Sequence, residues 1–164
     1  MDEILHQITN ENNITNDINN EFIIKEWEDL DIPDNLLRGI YAHGYEHPSP
    51  IQCKAIKPII ACRDLIAQAQ SGTGKTASFS IGSLSLVDTT KNQTQILLLS
   101  PIHELATQSA NTMRKLGSMM ENLQIATLVG GTSVNDDIQK LRYISPHIIS
   151  GTPGRVYDLI KRNR

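Results

Sequence analysis

Ala69-Gln70-Ser71-Gly72-Thr73-Gly74-Lys75-Thr76 stands just after the apolar run Leu65-Ile66-Ala67 and opens a stretch, Lys75 to about Val87, whose apolar residues recur at helical spacing. A glycine-rich turn between a strand and a helix can aim successive backbone N–H groups at one anion, and the positive end of the helix dipole adds to the attraction. In that setting a lysine reaches the outer phosphates of a nucleoside triphosphate and the next hydroxyl serves Mg²⁺, so Lys75 and Thr76 receive those roles. Ala69 takes the first position of the pattern, where glycine is usual. The rival reading, a strand-to-helix turn with an exposed lysine, leaves Gly-Lys-Thr at this place unexplained. All eight residues are therefore expected to hold nucleotide.

The alternation continues on both sides. Short apolar runs at Ile96 to Leu99, Ile125 to Val129 and His147 to Ile149 are separated by helical patterns over Glu104 to Leu116, Val134 to Leu141 and Gly154 to Arg162. Strands without polar alternation, spaced by helices, predict an α/β fold with a parallel sheet covered by helices on both faces. Ligands of such sheets sit at the carboxyl ends of the strands. Upstream, a helix is expected over Asn35 to His43, stopped by Gly44, and another begins at Ser49-Pro50, a capping residue followed by proline at the first helical position.

The chain of 164 residues suits one globular domain. Residues 1–31 hold nine acidic side chains and one basic one, whereas the rest holds fourteen basic and nine acidic. A basic body favours polyanions, although scattered Lys and Arg on a solvated face would give the same balance. Residues 1–26 carry six asparagines and few large apolar groups, the composition of a flexible acidic tail, so the domain is placed at 27–164. The longest aliphatic stretch is far short of a membrane span, and the polar N-terminus lacks the features of a secretory signal. A cytoplasmic protein without membrane contact is expected. Cys53 and Cys62 fit neither a zinc pattern nor a disulfide framework and read as reduced packing residues.

Alanine at position 69 with Gly72, Gly74, Lys75 and Thr76 in place resembles the DEAD-box RNA helicases, and further motifs follow in the family's order. Tyr45-Glu46-His47-Pro48-Ser49-Pro50-Ile51-Gln52 resembles the glutamine motif, with Trp27 upstream in place of its isolated aromatic. Gly130-Gly131 resembles the glycine doublet, and Thr152-Pro153-Gly154-Arg155 matches the threonine-proline-glycine-arginine motif. Leu36 to Tyr45 looks most like the translation-initiation members of the family. The resemblance implies a RecA-like phosphate-loop domain, ATP and Mg²⁺ as ligands, and RNA as a weakly and non-specifically bound partner. A translation-initiation scaffold protein is a second implied partner. It also implies that Gln52 reads the adenine edge, where a side-chain amide can both donate and accept, and that Tyr45 stacks on the base. Gly130, Gly131, Thr152, Gly154 and Arg155 would hold the RNA backbone. The residues alone allow other readings: Ser49-x-x-Gln52 is also a capping box, and Tyr45 also suits a core.

Two departures stand out. Where the family has proline-threonine-arginine-glutamate-leucine-alanine, this chain reads Pro101-Ile102-His103-Glu104-Leu105-Ala106, exchanging a hydroxyl and a permanent cation for an aliphatic chain and an imidazole. The Asp-Glu-Ala-Asp motif is absent, so the domain is expected to be partial and the hydrolytic carboxylates to be missing. ATP-dependent RNA helicase activity of the translation-initiation type is then expected of a complete protein. The alternatives for this chain are a non-catalytic ATP- or RNA-binding module, or a decoy that occupies a helicase partner.

Overall fold

The computed structural model describes residues 23–162. The acidic, Asn-rich segment expected to be flexible lies almost wholly outside them. Nine regular elements follow a short 3-10 turn at Trp27–Asp29: α1 (Asp34–Ala42), α2 (Pro50–Ile60), α3 (Lys75–Ser85), β1 (Ile96–Leu99), α4 (His103–Leu116), β2 (Ile125–Leu128), α5 (Val134–Ile144), β3 (Ile148–Gly151) and α6 (Pro153–Arg162). The three strands are parallel in the order β1-β3-β2, with Ile96 and Ile125 both opposite Ile148.

Alternation along the strands divides the apolar residues between two layers. Ile125 and Ile148 join the main core with Ile81, Leu84, Met113 and Leu116 of α3 and α4, while Leu128 and Ile149 face Val134, Ile138, Val156 and Leu159 of α5 and α6 on the other side. Helices therefore cover both faces, as the runs without polar alternation require. Gly39 lets α1 lie tightly against the end of α4: a Cβ there would lie 1.9 Å from the Leu116 carbonyl oxygen. Ile24 is buried in the same core and donates its N–H to the Cys53 carbonyl at 3.0 Å, so the folded unit extends upstream of Trp27.

One expected strand is missing. Leu65-Ile66-Ala67 forms no ladder, and Ile66 is 82% exposed. A strand exists only by pairing its backbone groups with a neighbour, and among the described residues none lies beside this segment. Beside it opens a cleft of about 680 Å³, lined by Leu65, Ala67, Lys75, Thr76, Phe79 and Leu105 among others.

Candidate nucleotide and RNA site

The loop from Ala69 to Thr76 is shaped by two left-handed glycines, Gly72 at φ +81° and Gly74 at φ +100°, a region that side chains with a Cβ avoid. Gly74 caps α3, so the free N–H groups of the first helical turn open onto the loop. The Thr73 hydroxyl donates to the Gln70 carbonyl at 2.8 Å and tightens the turn. Lys75 folds back, its ammonium donating to the carbonyl oxygens of Ala69 and Gln70. These bonds hold the loop shut on itself, and a polyphosphate would take the ammonium from them. The residues fit a nucleoside triphosphate: left-handed glycines, a helix N-terminus, the Lys75 ammonium and Thr76 come together at one turn. Thr76, expected from the sequence to serve Mg²⁺, is the second residue of α3, and no group of three His, Cys, Asp or Glu that could hold a metal occurs among the described residues.

The glutamine motif is bound to this loop. The Ser49 N–H donates to Gln52 Oε1 at 2.7 Å, completing the capping box of α2, and the Ser49 hydroxyl donates to the Thr73 carbonyl at 2.8 Å. Gln52 Nε2 lies 3.5 Å from the Gly74 carbonyl, at the outer limit of a hydrogen bond. A Cβ on Gly74 would lie 2.7 Å from that nitrogen, so glycine is needed for both its φ and its neighbour. The capping reading of Gln52 is thus present, and the same side chain sits beside the phosphate loop with one weakly engaged donor. Ser49 is the member of this set that the sequence marked only as a cap.

Trp27 departs from its expected place at the ligand. It is fully buried in the core, and its indole N–H donates to the Tyr45 carbonyl at 2.9 Å, so it fixes the backbone of the motif without facing a base. Tyr45 packs against the same core and keeps part of its surface exposed. Burial pushes the Cys53 thiol pKa up, which keeps it protonated, as suits a packing residue.

The second group gathers at the carboxyl ends of β1, β2 and β3. His103 opens α4, and its imidazole packs so closely on Gly130 that a Cβ there would lie 3.0 Å from Nε2. Gly131 follows at φ +85°. Thr152 is buried and starts α6, its carbonyl accepting the Val156 N–H at 3.1 Å, while Gly154 faces open space. Arg155 turns inward. Its guanidinium makes an ion pair with Asp137, donates from Nη1 to the Thr132 hydroxyl at 3.0 Å and from Nη2 to the Thr132 carbonyl at 2.8 Å. Both charged side chains are more than nine-tenths buried. Where the sequence reading expected Arg155 at an RNA phosphate, this arrangement engages its Nη1 and Nη2 with Thr132 and Asp137. Thr132 and Asp137 went unmarked in the sequence. A threonine ahead of a serine-capped helix with an aspartate in its first turn is too common a pattern to single them out.

A glycine-turned loop at the start of a helix, joined to a glutamine-bearing cap and followed by two backbone-rich turns at the ends of parallel strands, defines an α/β nucleotide-binding domain of the RecA-like kind. The DEAD/DEAH box helicase model matches residues 49–164, and the chain belongs to that family. It is 54% identical over 136 residues to ATP-dependent RNA helicase fal1 of Aspergillus fumigatus, covering 83% of this chain and 34% of that protein. The fal1 helicase of Schizosaccharomyces pombe is 50% identical over 161 residues, 98% of this chain and 39% of that one. Among solved structures, a DEAD box protein from Methanococcus jannaschii superposes with a TM-score of 0.79 at 35% identity, over 86% of this chain and 38% of that one. Dbp5 of Saccharomyces cerevisiae bound to RNA and ADP BeF3 gives 0.74 at 35% identity, over 85% of this chain and 35% of that one. The chain thus spans about a third of the length of the relatives it matches. Among its described residues, no helix is long and apolar enough to cross a membrane.

Proposed function

We propose that this chain supplies the ATP-binding and RNA-backbone-binding surface of an ATP-dependent RNA helicase. The observation that carries the reading is the phosphate loop: two left-handed glycines turn the backbone at the start of α3, with Lys75 and Thr76 next in line. ATP and Mg²⁺ are its ligands, Gln52 and Tyr45 meet the base, and RNA lies across Gly130, Gly131, Thr152 and Gly154 by backbone contacts that carry little sequence information. The related Dbp5 structure with RNA and ADP BeF3 supports this choice of ligands.

The finer assignment to the translation-initiation type, with a scaffold protein as partner, rests on Leu36 to Tyr45, and the cytoplasmic setting on the polar N-terminus and the shortness of the aliphatic runs. The matches to fal1 helicases at 50 to 54% identity favour a kinship with fal1 instead. For the isolated chain the second reading is a binding module, since the phosphate loop and the backbone turns are binding features in themselves. Calorimetric titration with Mg·ATP tests the proposal. The native chain is expected to bind and Lys75→Ala to lose binding with little change in fold, since Lys75 contacts only loop carbonyls. Phosphate release should not exceed that of the Lys75→Ala control. Equal ATP affinity in the two proteins refutes the phosphate-loop assignment.

A further inference from the structure

We propose that Arg155 and Asp137 are positioning residues that hold the glycine doublet in shape, and that Arg155 does not itself bind RNA phosphate. The inference rests on the RNA-backbone reading above and deepens it. Two successive glycines lose more conformational freedom on ordering than any other pair, so a fixed loop at Gly130-Gly131 needs an outside grip. The structure shows that grip on both sides. His103 packs against Gly130, and Arg155 holds Thr132, the residue after the doublet, by its carbonyl and its hydroxyl together.

The planar guanidinium fork suits this task, because Nη1 and Nη2 serve separate acceptors in fixed directions, which an ammonium cannot do. Asp137, in the first turn of α5, accepts from Nη1 and lies 3.4 Å from the Thr132 hydroxyl, closing a small network that joins the end of β2 to the start of α6. Its charge also cancels that of Arg155. An incoming phosphate would meet a buried pair of opposite charges in which Asp137 already holds Nη1 of the guanidinium. What the pair offers RNA is a pre-ordered turn, whose free amides bind without first being fixed.

The experiment compares Arg155→Ala, Arg155→Lys and Asp137→Asn in the full chain, using amide hydrogen exchange of residues 130–133 and binding of a fluorescein-labelled oligouridylate over a range of salt. All three variants are expected to speed exchange in this segment. They are also expected to weaken RNA binding roughly tenfold, the factor for ordering about one backbone residue, with the salt slope unchanged. Lysine should not rescue, and the Arg155→Ala/Asp137→Asn double variant should be no weaker than either single one. A direct phosphate contact predicts the opposite: Arg155→Ala lowers the slope by about 0.7, lysine restores it, and Asp137→Asn leaves affinity and exchange at native values. That result overturns the proposal. Should Arg155→Ala fail to melt cooperatively, Asp137→Asn, which keeps the side-chain shape, separates the two outcomes in the same way. If the native chain binds no RNA at low salt, the functional reading fails. The exchange data still decide the positioning role, with native exchange in Asp137→Asn and Arg155→Lys sinking it.

Discussion

Replacing Gln52 by alanine separates two tasks that the structure places on one side chain. Gln52 is 2% exposed, accepts the Ser49 N–H at 2.7 Å and leaves its amide nitrogen 3.5 Å from the Gly74 carbonyl. Losing a capping interaction costs about 0.5–2 kcal/mol, and alanine recovers only a few tenths through helix propensity in the first turn. A net loss of roughly 0.2–1.7 kcal/mol follows, because the contact to Gly74 is too long to add much. At about 2–4 °C per kcal/mol for a chain of this size, the melting midpoint should fall by up to roughly 7 °C. The second task is base choice. Two hydrogen bonds to an adenine edge, at about 0.5–1.5 kcal/mol each, correspond to roughly five- to 150-fold preference for ATP over GTP, so the variant should narrow the ratio by at least about fivefold. The control is Ser49→Ala, which disrupts the same cap and the 2.8 Å bond to Thr73 without removing the amide. It should be destabilised to a similar degree and keep the nucleotide preference. Calorimetric affinities for ATP and GTP, measured at matched folded fraction, decide the matter. Unchanged discrimination in Gln52→Ala would leave Gln52 as a cap alone, and an equal loss in Ser49→Ala would show that the effect comes from loop distortion.

Two further outcomes follow from the packing. Gly39→Ala should destabilise by more than the usual 1–3 kcal/mol of overpacking, despite the roughly 1 kcal/mol that alanine normally contributes within a helix, because the new methyl meets the Leu116 carbonyl at 1.9 Å and backbone cannot swing away; a melt at or above the native temperature would show that α1 and α4 separate freely. β1 presents an unpaired side and two exposed leucines, Leu97 at 50% and Leu99 at 52%, so the chain should self-associate with rising concentration and Leu97→Lys should suppress it. Sedimentation showing a clean monomer for the native chain at high concentration would contradict that edge effect.

Much of this site was legible along the chain. Gly72, Gly74, Lys75 and Thr76 carry their meaning locally, since a left-handed turn opening a helix is fixed by residue type and short-range sterics. Three of the strands and the helices that follow them emerge from periodicity for the same reason, with ends displaced by a residue or a few. The fourth strand fails because Leu65-Ile66-Ala67 has strand composition, and composition supplies no pairing partner. Trp27 and Arg155 differ from expectation for a related cause. A motif names the residue without its direction, and direction is set by what the rest of the fold brings near: the Tyr45 carbonyl for one, Asp137 and Thr132 for the other. Local chemistry in the sequence thus determined which turns can bind phosphate. Only the tertiary packing decided which side chains remain free to do so, because burial and hydrogen-bond capacity are shared among residues far apart in the chain.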